Sequence, residues 1–359
     1  MAEGTAAVRS CAPGPASRFD QLDLLKCYAV VLVVLVHVSA PGSYLWHAVP
    51  ERHWWIATAF GAFARVCVPL FLMASGATLL DIGKVEPIGP FFTRRVRRIL
   101  LPLLIWSAVY LADQMWLGGH AFTLWEVLRA LLLGTTFYHM PFFYYLIGLY
   151  LCAPVLARFT DSASAGSARY FVLLWLAISC QLLASDLSGY AVGVPVPVVG
   201  GFVGYFVLGR LLRDVAVSGR AAAGCALAAL ACTAATLVAT YWRTRHAGVL
   251  DQMFFEYGRP NIILMSGSSF LLLSSAPVRR WLATRPRVVA WVRAGASAGL
   301  GVFLVHPLLL QTVMPRLGLA WNSFGAFAGI LVSLLVLLAL SAAAVWTLRR
   351  IPGVRAAVS

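Results

Sequence analysis

Charge is scarce in this sequence: only 11% of its 359 residues are Asp, Glu, Lys or Arg, and 13 are acidic. With 61% hydrophobic residues and a mean hydropathy of +0.83, that excludes a soluble globular domain. Lysine is nearly missing. Lys26 and Lys84 stand alone among 28 basic residues, so the net charge of +15 is almost entirely arginine. In a chain this apolar, such an excess marks cytoplasmic loops rather than nucleic-acid binding, and it suits contact with anionic lipid or an anionic cofactor. The seven cysteines include no CxxC and no spacing paired with histidine, and all but Cys11 fall in apolar segments. They are packing residues, and neither a disulfide nor a metal site is expected. No apolar run precedes Leu22, so residues 1–21, rich in Ala, Gly, Pro and Ser, are expected as a disordered cytoplasmic tail rather than a cleaved signal. No internal repeat or inverted symmetry is visible. The glycine-rich GGFVGYFVLGR (200–210) follows no strand, so close helix packing explains its glycines better than nucleotide binding.

What is present is a succession of long apolar runs, the mark of an all-α, polytopic membrane protein. About ten spans are expected, near 22–40, 55–80, 99–117, 139–157, 169–186, 195–213, 221–242, 258–276, 297–315 and 323–347. If the chain starts on the inside, the inner segments collect 21 of the 28 basic residues and the outer segments six, with Arg65 left in a span. Both termini are therefore expected in the cytoplasm, with one membrane domain over 22–347 and a short tail over 348–359. Residues 122–134, FTLWEVLRALLLG, are short and carry Glu126 and Arg129, which fits a helix lying on the outer interface. The alanine-rich seventh span is expected at the periphery.

Against this background the few polar groups stand out. The first span, LDLLKCYAVVLVVLVHVSA, carries Asp23, Lys26 and His37. Eleven residues separate Lys26 from His37, so both leave one helix face, about 16 Å apart along the axis. Ionisable groups at that depth cost roughly 2.5–3.5 kcal/mol on insertion scales and face a cavity or a partner. Asp23 and Lys26 are also compatible with simple snorkelling at the span's edge. Arg65 falls mid-span with Pro69 one turn on, and needs an acceptor, water or an ion pair with another helix. Arg94, Arg95, Arg97 and Arg98 open the third span beside Phe91 and Phe92. They set topology, and their guanidinium forks also suit the phosphates of a nucleotide-like cofactor. At the outer level lie His139, which opens HMPFFYY, and the cluster Glu256, Tyr257, Arg259 and Asn261. His306 sits mid-span before Pro307.

Six stretches together resemble the acyltransferase-3 family of bacterial inner-membrane O-acyltransferases. They are FDQLDLLKCYAVVLVVLVHVS, RVCVPLFLMASGATLL, FFTRRVRRILLPLLIWSAVY, HMPFFYYLIGLYLCAPVL, FFEYGRPNIILMSGSSFLLL and GVFLVHPLLL, in family order and over more than half the chain. The most specific is a basic residue, ten others, then His; the family usually has Arg where this chain has Lys26, a swap that keeps the charge but loses the bidentate fork. The resemblance implies acetyl-CoA from the cytoplasm as donor. It implies a hydroxyl of a cell-surface carbohydrate, or of its lipid-linked precursor, as acceptor, and His37 as the essential catalytic residue.

The residues suit that chemistry. A weakly acidic hydroxyl attacking a thioester needs a base with a pKa near neutrality, for which His37 is apt, and a developing oxyanion needs donors such as Arg65, Tyr257 or Asn261. Lys26 with Arg94, Arg95 and Arg98 would hold the phosphates, and the pantetheine arm would run along the first helix. Both direct transfer and an acetyl-His37 relay are compatible with these residues. His139, Glu256, Tyr257, Asn261 and His306 are the candidate acceptor-binding residues. Membrane lipid is a necessary partner and a homodimer is compatible; no nucleic acid and no metal are expected. A transporter of a sugar- or acyl-bearing solute, with Arg65, His37 and His306 along its path, is the other reading.

Overall fold

The computed structural model describes residues 18–162, 165–190 and 201–358; most of the expected N-terminal tail lies outside them. Among the described residues the chain forms fourteen α-helices and no named strand. They are α1 (Arg18–Tyr44), α2 (Glu51–Ala64), α3 (Cys67–Leu79), α4 (Ile82–Val85), α5 (Ile88–Trp116), α6 (Leu124–Leu133) and α7 (Pro141–Ser162), then α8 (Ala165–Ser188), α9 (Phe202–Leu212), α10 (Gly219–Ala247), α11 (Pro260–Leu273), α12 (Ala276–Ala283), α13 (Pro286–Thr312) and α14 (Ala326–Leu348). Eight helical stretches are long and apolar enough to cross a membrane, and α11 with α12, bent by 42°, would make a ninth. The sixth expected span is the short one: α9 has 11 residues, about 16 Å of rise against a hydrocarbon core of about 30 Å. Residues 195–200 of that expected span fall outside the described residues.

The first helix is the hub. It packs on α2, α3, α11, α13 and α14, and its apolar residues are buried almost all round, from Leu25 and Ala29 to Val34 and Val38. That agrees with its composition, since a helix hydrophobic on every side belongs inside a bundle. By contrast, only 11% of the apolar window of α10 is buried, the peripheral place its alanine-rich sequence predicts.

The second expected span is one helix in register but two in structure. Pro69 has no N–H to give to the carbonyl of residue 65, and the α-helical ladder stops at Ala64 and resumes at Cys67, with Leu70 N–H donating to Val66 O at 2.9 Å. Arg65 therefore sits at the break. Pro307 does the same to the Phe303 carbonyl within α13, while the Tyr110 hydroxyl donates to the next carbonyl, Leu304 O, at 2.6 Å.

Glycine sets one critical helix approach. A Cβ at Gly76 of α3 would overlap the Phe206 carbonyl of α9, and one at Gly209 of α9 would overlap the Met73 carbonyl of α3. This is the small-residue packing that membrane helices use in place of a hydrophobic drive. Gly76→Val or Gly209→Val should force the two backbones apart and destabilise the bundle by about 1–3 kcal/mol or more. Gly224→Ala, in open space on α10, should be neutral or slightly stabilising. Thermal melting of the detergent-solubilised protein, followed by size-exclusion chromatography, checks both; equal melting of all three variants would refute the account.

The expected interfacial helix exists as α6, none of whose residues is buried. Thr123 and Glu126 close a reciprocal capping box at its start, and the Tyr144 hydroxyl donates to Leu131 O, tying α6 to α7. At the far end of the chain, residues 355–357 turn back onto α5. Trp106 donates its indole N–H to Ala357 O at 2.9 Å, and Ala357 and Val358 are buried.

Candidate active site

Three cavities follow one another along α1. The first, of 260 Å³, lies at the end of the bundle that carries the arginine run and is lined by Asp23, Lys26, Ser75, Arg95, Arg98 and Arg293 among others. The second, of 320 Å³, is lined by His37, Arg65, Cys67, Tyr138, His139 and Tyr257. The third, of 620 Å³, runs from His37 and Arg65 to Tyr44, Gln252, Gln311 and Trp321. Phe142 and Phe303, with ring centroids 5.1 Å apart, wall both the first and the second. His37, Arg65 and Tyr138 belong to both the second and the third. His37 thus stands where two cavities meet, about 16 Å along the helix from Lys26.

Around His37 the bundle gathers rings. Tyr138 lies 4.8 Å and His306 5.3 Å from it between centroids, and His139 is 6.0 Å from His306. His306 is fully buried, and its Nδ1 lies 2.9 Å from Val302 O. A carbonyl only accepts, so Nδ1 carries the proton and Nε2, buried and without a partner, is left as an acceptor. His139 is 5% exposed, and neither of its ring nitrogens has a hydrogen-bond partner among the described residues. Buried polar groups are normally satisfied, so unpaired imidazoles beside a cavity are a sign of a site built to receive something. No group of three His, Cys, Asp or Glu side chains suited to a metal ion occurs among the described residues.

Arg65 finds no carboxylate among the described residues. Its guanidinium lies over the Phe255 ring at 4.6 Å, and its buried Nε has no partner. The α2–α3 break holds this cation against two cavities, and Tyr257, whose hydroxyl is 4.0 Å from Cys67 Sγ, faces the same space. At the other end, Lys26 is 3.9 Å from Asp23. Arg95 lies 5.3 Å from the Phe91 ring centroid and 5.4 Å from that of Tyr150, again with a buried, unpartnered Nε.

A family model described as an acyltransferase domain matches residues 19–346. The chain belongs to the acyltransferase-3 family. No curated protein and no solved structure matches it. It is a membrane acyltransferase.

The structure brings together only some of the residues singled out from the sequence. His37, Arg65, His139 and Tyr257 share one cavity, with the His306 ring against His37. Lys26, Arg95 and Arg98 share another, whereas Arg94 is exposed and outside its lining. Glu256 and Asn261 line none of the three cavities along α1. Glu256 is 2.5 Å from Arg259, which Asp186 grips at 2.6 Å from α8. Asn261 donates to Thr236 Oγ1 at 2.8 Å and Phe254 O at 2.9 Å. These two anchor the chain that presents Tyr257. Sequence reading missed Tyr138 and Arg293 as lining residues. Tyr138 directly precedes His139, the one local hint; nothing in the sequence around Arg293 sets it apart from the other arginines.

Proposed function

We propose that this membrane acyltransferase moves an acetyl group from cytoplasmic acetyl-CoA to a hydroxyl of a surface carbohydrate or its lipid-linked precursor, with both chain ends on the cytoplasmic side. The observation that carries this reading is the linked series of cavities, basic at one end and aromatic and polar at the other, with His37 at the junction. Lys26, Arg95 and Arg98 are chemically suited to a polyphosphate. They are cations at one cavity mouth, and the orphaned Nε of Arg95 asks for an acceptor. The aliphatic and aromatic wall from Phe71 to Phe142 and Phe303 suits an uncharged pantetheine arm.

In the reaction His37 takes the proton of the acceptor hydroxyl as its oxygen attacks the thioester carbonyl. The carbon–sulfur bond breaks, an ester forms, and the proton passes from His37 to the departing thiolate. Arg65 and the Tyr257 hydroxyl are the donors placed to offset charge on the carbonyl oxygen, and their value is raised by exclusion of water. His306, locked as the Nδ1–H tautomer, and His139 polarise the wall behind His37. The same geometry serves a sugar hydroxyl in the larger third cavity, beside Gln311 and Trp321.

Membranes bearing the protein, given acetyl-CoA labelled in the acetyl group and a crude surface-glycan fraction, are expected to release CoA and label the glycan. A protein that only transports would leave the thioester intact. Unchanged acetyl-CoA in the presence of acceptor would refute the proposal.

A further inference from the structure

Resting on the carbohydrate acceptor proposed above, we infer that the bundle carries a second acceptor subsite, an aromatic cage that holds a glycosyl ring next to the catalytic cavity. The cage is a 280 Å³ cavity between the α1–α2 loop and the end of α10, lined by Trp46, His47, Glu51, Trp54, Tyr241 and Arg245. It shares none of these residues with the cavities that contain His37.

Three rings of the cage are set edge to face or tilted on one another, and Tyr241 is backed by Trp55 at 4.4 Å and 32°. Trp46 lies 4.7 Å from Trp54 at 71° and 5.8 Å from Tyr241 at 77°, and Trp54 lies 5.9 Å from Tyr241 at 55°. The arrangement is fixed from below: Trp54 is 1% exposed and donates its indole N–H to Ser43 O at 2.9 Å. Trp46 is not satisfied in this way, since its indole N–H is buried without a partner. His47 holds a left-handed backbone at φ 64°, and it is the one non-glycine residue to do so among the described residues. A rigid aromatic wall with an unpaired donor beside a strained residue is the construction of a ligand clamp rather than of a core.

The polar groups select the occupant. Glu51 offers a carboxylate, Arg245 a guanidinium, and Trp46 an N–H, around apolar faces. A pyranose ring presents C–H faces to aromatic rings and hydroxyls at its edge to such donors and acceptors. A quaternary ammonium, the other usual guest of aromatic cages, has no acceptor for the Trp46 N–H or for Arg245, which forms no ion pair among the described residues, whereas its neighbour Arg243 is 2.8 Å from Asp251.

The cage also lies beside the third cavity. Tyr44 lines the third cavity and Trp46 the cage, two residues apart and so separated by at most about 7 Å of chain. His53, beside Trp54, packs its ring 6.4 Å from Trp321 of the third cavity. An oligosaccharide with one residue in the cage would reach the cavity of His37 with a neighbouring one. The cage then sets which glycan, and which hydroxyl along it, is presented.

The test uses the full chain in lipid nanodiscs on an array of defined bacterial surface oligosaccharides. At least one glycan should be retained, with retention falling tenfold or more in Trp46→Ala and several-fold in Arg245→Gln, while Trp46→Phe keeps most of it. Arg245 is exposed at the end of α10, so its substitution reads out binding without a folding penalty. His37→Ala should still retain the glycan. No retained glycan, retention indifferent to both substitutions, or displacement by choline would each overturn the subsite. Retention through the cage without acetyl transfer by the native chain would instead leave the subsite standing and remove the enzymatic reading.

Discussion

His37→Ala is expected to abolish acetyl transfer, by about 100-fold or more if the imidazole is the general base, while the protein inserts and folds. Alanine is the better helix former, and removing a polar group from a spanning helix eases insertion. Among the described residues the side chain also makes no hydrogen bond that the bundle needs: its neighbours are the rings of Tyr138 and His306 and two cavities. Activity and melting temperature must therefore separate. If both fall together, His37 is structural; if neither falls, the proposed base is wrong and His139, buried in the same cavity with two unpaired nitrogens, is the next to test. Moving the imidazole to position 36 or 38 turns it about 100° around the helix axis, away from its place against the rings of Tyr138 and His306, and should also stop transfer.

The second large effect concerns the donor. The double variant Arg95→Ala/Arg98→Ala should weaken CoA binding by about 10²- to 10⁴-fold, since two charge-assisted bonds to phosphate are worth roughly 1.5–3 kcal/mol each. Arg94→Ala should change it little. The four arginines are indistinguishable as topology signals, yet only Arg95 and Arg98 line the cavity. Titration of CoA into nanodisc-embedded protein separates the two roles, with cysteine accessibility at the exposed Thr93 confirming insertion. If Arg94→Ala alone matches the double variant, the run acts as a diffuse positive field and not as a phosphate site. Lys26→Arg should retain binding, because the arginine keeps the charge that Lys26 places beside Asp23.

Much of this molecule was decided within single helices, and so was legible in the sequence. Apolar runs long enough to span fix the all-helical membrane class, because an unsatisfied backbone is too costly in lipid for anything else but a closed barrel. Helical periodicity alone puts Lys26 and His37 on one face of α1, whereas the break at Arg65, in a stretch expected as one span, shows only in the structure. What only the tertiary structure decided is what those faces meet. Arg65 is answered by the Phe255 ring and not by a carboxylate, and Glu256 and Asn261, plausible site residues by type and depth, are turned to Arg259, Thr236 and Phe254 instead. Spacing along one helix is a local property. Which side chains converge across helices depends on where backbones approach most closely, and here Gly76 and Gly209 bring α3 and α9 into contact while pairs of rings such as Phe142 and Phe303 hold others apart; those distances exist only once the bundle has packed.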